Sequence, residues 1–107
     1  MSYTVRDALP AALADVDGVK GYARMPKVPK PGDVWLKWMG GEAVAPQLFQ
    51  DTWQLQVMLP SDVSAHDDWI IEHVDAIIEA TAHLVFVFNR GPGSVGELPA
   101  LMLDCRE

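Results

Sequence analysis

A chain of 107 residues, half of them hydrophobic and four of them Trp, is long enough for one domain and too short for two. A domain of this size buries roughly 60–65% of its unfolded surface, so that much apolar and aromatic area leaves some for a partner. The net charge of −7 argues against phosphate-backbone binding as the main activity, because that requires clustered Lys and Arg to displace counterions.

In chain order, an amphipathic helix is expected over residues 4–15, with Thr4 as its cap and Val5, Leu9, Ala12, Leu13 and Val16 on one face. Pro10 cannot donate to the carbonyl of Arg6, so this helix either kinks there or begins near Leu9. A strand is expected within residues 18–24. Residues 25–33 hold Pro26, Pro29 and Pro31, which rule out regular pairing and predict an exposed, semi-rigid arm. Alternation predicts a strand over 34–39, ended by Gly40 and Gly41 and followed by an irregular loop through Pro46.

The clearest strand is 50–59, where Trp53, Leu55, Val57 and Leu59 share one face and Thr52, Gln54, Gln56 and Met58 a mostly polar other. Pro60 closes it, and Ser64 followed three residues later by Asp67 resembles a capping box. A helix to about residue 82 then places Ile70, Val74, Ile77, Ile78 and Thr81 on one stripe, with Asp68, Glu72, Asp75 and Glu79 largely opposite. Residues 84–89 form a strand, 90–97 a Gly-rich turn, and Leu101, Leu103 and Cys105 the inward positions of a last strand. The sum is a single α+β domain of order α-β-β-β-α-β-β. Its sheet is mostly antiparallel with four to five strands, one long helix packs on a face, and a further helix precedes the sheet.

None of the chemical candidates builds a site. Gly91 to Gly96 matches G-x-G-x-x-G, but a strand follows it where the dinucleotide fingerprint needs a helix N-terminus, so it is a hairpin turn. His66 and His73 lie two helical turns apart, too far to share an ion, and with Asp67 and Asp68 they read as solvated or capping residues. His83 suits the helix end as an imidazolium beside the dipole. Cys105 falls on an inward register and reads as a small core hydrophobe; as the single Cys it excludes an internal disulfide and fits a reducing compartment. The carboxylates of the long helix lie on an exposed face. No catalytic, cofactor or metal residue is nominated, and an enzyme is not expected. The start of the chain lacks the pattern of a signal peptide. The longest apolar run, 84–88, is far below the ~20 residues of a membrane span, so a soluble cytoplasmic product is expected.

What remains points to association. Lys20, Arg24, Lys27, Lys30 and Lys37 occupy one stretch, while the acidic residues crowd the long helix, an asymmetry suited to head-to-tail contact between identical subunits. Trp53 and Trp69 read as core. Trp35 and Trp38 point to opposite faces, so one of them leaves the buried side unless a loop or subunit covers it. The interface residues nominated are Lys27, Lys30, Lys37 and Arg90 for charge, and Trp35, Trp38, Met39 and Phe49 for apolar contact.

The helix at 4–15, the Pro-rich arm, the strand at 51–59, the helix at 65–82 and the closing hairpin at 84–105 together resemble the tail terminator proteins of long-tailed, siphovirus-like bacteriophages. The likeness covers nearly the whole chain and lies in element order, size and pattern. It implies a virion subunit, made in the host cytoplasm, whose homohexameric ring caps the tail tube at its head-proximal end. Such a ring halts tube polymerisation and meets the head-completion (neck) proteins, and DNA passes through its acidic lumen without specific binding. No individual residue role carries over, because the likeness rests on no signature motif. The alternatives are another head-tail completion protein, or a cytoplasmic ligand-binding or regulatory α+β domain with an apolar pocket.

Overall fold

The computed structural model describes residues 3–107, with side chains from residue 5 onward. Its elements are α1 (Tyr3–Ala12), β1 (Lys20–Tyr22), β2 (Asp33–Ala45), β3 (Leu48–Met58), a 3-10 turn (Val63–Ala65), α2 (His66–Thr81), β4 (Phe86–Val95) and β5 (Leu98–Arg106). This is the expected α+β order. The five strands lie in the sequence β1-β2-β3-β5-β4. β1 runs parallel to β2, and every other pair is antiparallel.

α1 passes through Pro10 rather than beginning near Leu9. The ring sits on the exposed side close to the helix end, so one missing bond to the Arg6 carbonyl is tolerated. The apolar stripe behaves as its spacing predicts, with Leu9 and Leu13 fully buried. The side chain of Thr4, expected as the cap, lies outside the described residues. α2 begins at His66, and its expected box does not form. Instead Asp62 caps the preceding turn, its carboxylate accepting from the Ser64 backbone N–H (3.0 Å) and hydroxyl (2.8 Å). Ser64 is therefore the donor to the cap and not the cap itself.

The main core lies between the sheet and the two helices. Val34, Leu36, Trp53, Leu55, Val57, Leu101, Leu103 and Cys105 come from the strands, Leu9 from α1 and Leu13 from the turn after it, and Val74 and Ile77 from α2, with Trp69, Ile70 and Ile78 packed against them. The opposite face of the sheet is less polar than expected. There Trp35, Met58 and Ala100 form a second buried cluster, flanked by Tyr22, Val95 and Met102.

Two turns were misplaced by the sequence pattern. Gly40 and Gly41 do not end β2, which continues to Ala45. Gly40 has φ 128°, a conformation open to glycine, and it absorbs a bulge between Trp38 and Gly40 so that pairing with β3 resumes. The real reversal is Pro46-Gln47, with Pro supplying its fixed φ and Gln47 held at φ 62°. Likewise β4 runs on to Val95, and only Gly96 and Glu97 form the turn into β5. Residues 25–32 form the non-repetitive connection expected. Its end is anchored, because the Gly32 N–H donates to the Met58 carbonyl at 2.9 Å and Asp33 is already a buried residue of β2.

Candidate functional site

The β2–β3 hairpin is longer than the sheet that supports it. β1 pairs with β2 only at Asp33, Val34 and Trp35, and β5 pairs with β3 only from Thr52 onward. Residues 39–50 therefore form an arm whose two strands pair with each other alone, consistent with the elongated 48 × 27 × 26 Å shape. Apolar side chains stand along it in solvent: Met39, Val44, Leu48 and Phe49, the last 63% exposed. Trp38, 57% exposed, sits at its root and donates its indole N–H to Asp51 Oδ1 at 3.1 Å. The root is fixed further by Glu107, whose carboxylate accepts from Trp53 Nε1 at 3.0 Å and whose carbonyl accepts from Gln50 Nε2 at 3.2 Å.

The structure leaves most of the nominated residues on the surface and corrects one of them. Lys27, Lys30, Lys37, Trp38, Met39 and Phe49 are all exposed. Trp35 is not a surface residue: it is 2% exposed, seals the second cluster, and donates Nε1–H to Gln56 Oε1 at 2.9 Å. A side chain so placed holds the fold. From Gln56 a chain of hydrogen bonds crosses the sheet, Gln56 Nε2 donating to Gln54 Oε1, and Gln54 Nε2 and Asn89 Nδ2 both donating to the Asp104 carboxylate. That relay explains how polar residues occupy a partly covered face without orphaned groups. Arg90 is exposed on β4, its guanidinium 3.9 Å from Asp75 on α2, a solvated pair of small energetic weight.

The sequence reading passed over Phe86 and Phe88. Both are at least half exposed, and the Arg106 guanidinium lies 5.3 Å from one ring centre and 5.5 Å from the other. The signal was available in the alternation itself, since turning Val85 and Val87 inward sends the two Phe outward. Arg6 was also passed over. Among the described residues its Nε is the one buried side-chain nitrogen or oxygen without a hydrogen-bond partner. Arg6 borders a cleft of ≈ 490 Å³ with Arg24, Lys37, Trp35, Trp38 and Gln56, a lining with three cations and no carboxylate.

The sheet leaves two edges without a strand partner among the described residues. One is the outer side of β2 from residue 36 to 45, beginning where β1 stops; the other is the whole outer side of β4. They belong to strands at opposite ends of the β2-β3-β5-β4 order, and the cationic cleft adjoins the first while Ser94, Val95 and Gly96, at the end of β4 and its turn, close its other wall.

The chemical candidates occupy structural roles. His66 Nε2–H donates to the Pro60 carbonyl at 2.6 Å, and His73 Nδ1–H donates to the Trp69 carbonyl at 2.9 Å while its ring stacks on the indole at 4.3 Å. A carbonyl can only accept, so these ring nitrogens carry protons and are closed to metal coordination. No three His, Cys, Asp or Glu side chains among the described residues gather closely enough to hold a metal ion. The G-x-G-x-x-G stretch lies within β4 and its turn, so no helix N-terminus meets it. Cys105 is fully buried, donates its S–H to the Leu103 carbonyl, and its thiol is pushed up to about 11 by burial. No helix of the described residues is long and apolar enough to cross a membrane. Comparison with protein-family models and with curated proteins yields no match.

Proposed function

We propose that this chain is a structural virion protein, the subunit of a ring that caps the bacteriophage tail tube, ends tube polymerisation and joins the tail to the head-completion proteins. The observation that carries the reading is the hairpin arm, whose Met39, Val44, Leu48 and Phe49 stand in water beside an exposed Trp38. Each such side chain contributes about 1.5–3 kcal/mol when moved from water into a packed contact. An arm of this composition is suited to lie against another protein surface. The ring itself draws support from two different open sheet edges, on β2 and on β4, since heterologous faces are what closed rings of identical subunits require. An acidic chain also suits a lumen through which DNA slides.

The test is the native mass of the purified chain over a range of concentrations, alone and with purified tail tubes viewed by electron microscopy. The expected result is a mass near six times 11.8 kDa or ring density at tube ends. A strict monomer or dimer that ignores tubes would overturn it. That outcome would favour a regulatory or ligand-binding domain, with the cationic cleft beside β2 as its site.

A further inference from the structure

From the two open edges we infer that copies of this chain join by adding the β4 edge of one to the β2 edge of the next, forming a sheet continuous across the subunit boundary. The inference deepens the ring reading by naming the surfaces that close it, and it rests on three independent observations.

The first is direction. Strand sense alternates across β2-β3-β5-β4, so a second copy set beside the first in the same orientation brings its β2 antiparallel to the first copy's β4. Antiparallel ladders are the more stable kind; with the copies level, residues 36–40 of one meet 86–90 of the other, and sliding one copy by about five residues along the strands sets 36–45 against 86–95. The short β1 covers only the first three residues of β2 and leaves the rest free.

The second is charge. The β2 side carries Arg24, Lys27, Lys30 and Lys37, while the β4 side carries the acidic flank of α2, located there by the approach of Asp75 to Arg90 on β4. In a head-to-tail arrangement each boundary sets the cations of one copy against the carboxylates of the next. Turning one copy so that two β2 edges or two β4 edges meet pairs like with like, which selects the head-to-tail contact.

The third is the cationic cleft at the start of the open β2 edge, which Arg6, Arg24 and Lys37 line with no carboxylate and where Arg6 Nε lacks a partner. A carboxylate from the neighbouring α2 meets these cations.

The experiment uses the full chain and two charge-reversed variants. One carries Lys27→Glu, Lys30→Glu and Lys37→Glu; the other carries Asp75→Lys and Glu79→Lys. Each alone is expected to stay monomeric where the wild type assembles, and an equimolar mixture is expected to regain the wild-type mass, because an alternating order restores every boundary. Amide exchange on the assembled wild type reads the backbone directly, with amides in both 36–45 and 86–95 slowing about tenfold or more relative to the dilute chain. Protection of one segment only, or of neither, overturns edge pairing. So does a mixture that fails to reassemble, or a wild type that remains a monomer at its solubility limit. Failure here is separable from failure of the tail reading. A ring that ignores tail tubes leaves the edge pairing standing and removes the proposed function. A chain that decorates tube ends without protecting its strand edges does the reverse.

Discussion

Trp35 and Trp38 stand three residues apart on one strand and have opposite fates, which makes them the sharpest test of how this chain divides its aromatic surface. Trp35→Ala should cost about 3–5 kcal/mol, because it opens the second cluster and strips Gln56 Oε1 of its donor. Trp38→Ala should cost the monomer only about 1 kcal/mol, for the lost bond to Asp51, while weakening association. Denaturant unfolding at a concentration where the chain is monomeric separates the two; equal losses would contradict the division. Cys105 provides a pH test. Burial disfavours the thiolate and raises the folded value from an ordinary 9.0 to about 11. A raised value favours the protonated, folded form, so this contribution is intact below pH 9 and fades between pH 9 and 11 at up to about 1.4 kcal/mol per unit. Iodoacetamide at pH 8 should leave the native chain unmodified and label it fully once unfolded, as read by mass. Both Trp side chains were recognised from alternation as facing opposite ways. Which one would be covered was not legible, because the cover is Met58 and Ala100, brought in by two strands distant in the chain.

Among the elements, α2 and β3 were the most legible, since long runs with a clean period of 3.6 or 2 leave little choice of buried face. Leu55→Ala in β3 or Ile77→Ala in α2 should each cost roughly 2–5 kcal/mol, measurable by chemical denaturation, since both are fully buried. The turn before α2 was less legible, as Asp62 and Ser64 are both good cap residues and only the backbone path decides between them. Asp62→Ala should lower the thermal midpoint above pH 4, by an amount that shrinks as the pH falls below 4. Bonds from the Ser64 hydroxyl and backbone N–H hold the Asp62 carboxyl below its ordinary 3.8. The stabilisation is therefore present above that value and lost as the pH falls through the folded one. Glycine misled at both hairpins. Gly40-Gly41 and Gly91-Pro-Gly93 have the composition of turns, yet cross-strand pairing carries the chain straight through them.

For the whole molecule, the basic stretch and the acidic helix become two sides of one body once the sheet order is known. The Lys27, Lys30 and Lys37→Glu variant should retain the circular dichroism of the wild type, because all three side chains are exposed, while its native mass falls. Loss of secondary structure, or an unchanged mass, would refute the assignment of these residues to association.

Local chemistry was enough to establish the α+β class, the order of elements, and the inward stripes of α1, α2, β3 and β5. Each follows from periodicity or from groups close together in the chain. Strand order, the open edges of β2 and β4, the burial of Trp35 and the orphaned Arg6 Nε belong to tertiary structure alone. They depend on which strands lie side by side, and the pairing of β3 with β5 joins residues about fifty positions apart, a choice made by packing and not by any local preference.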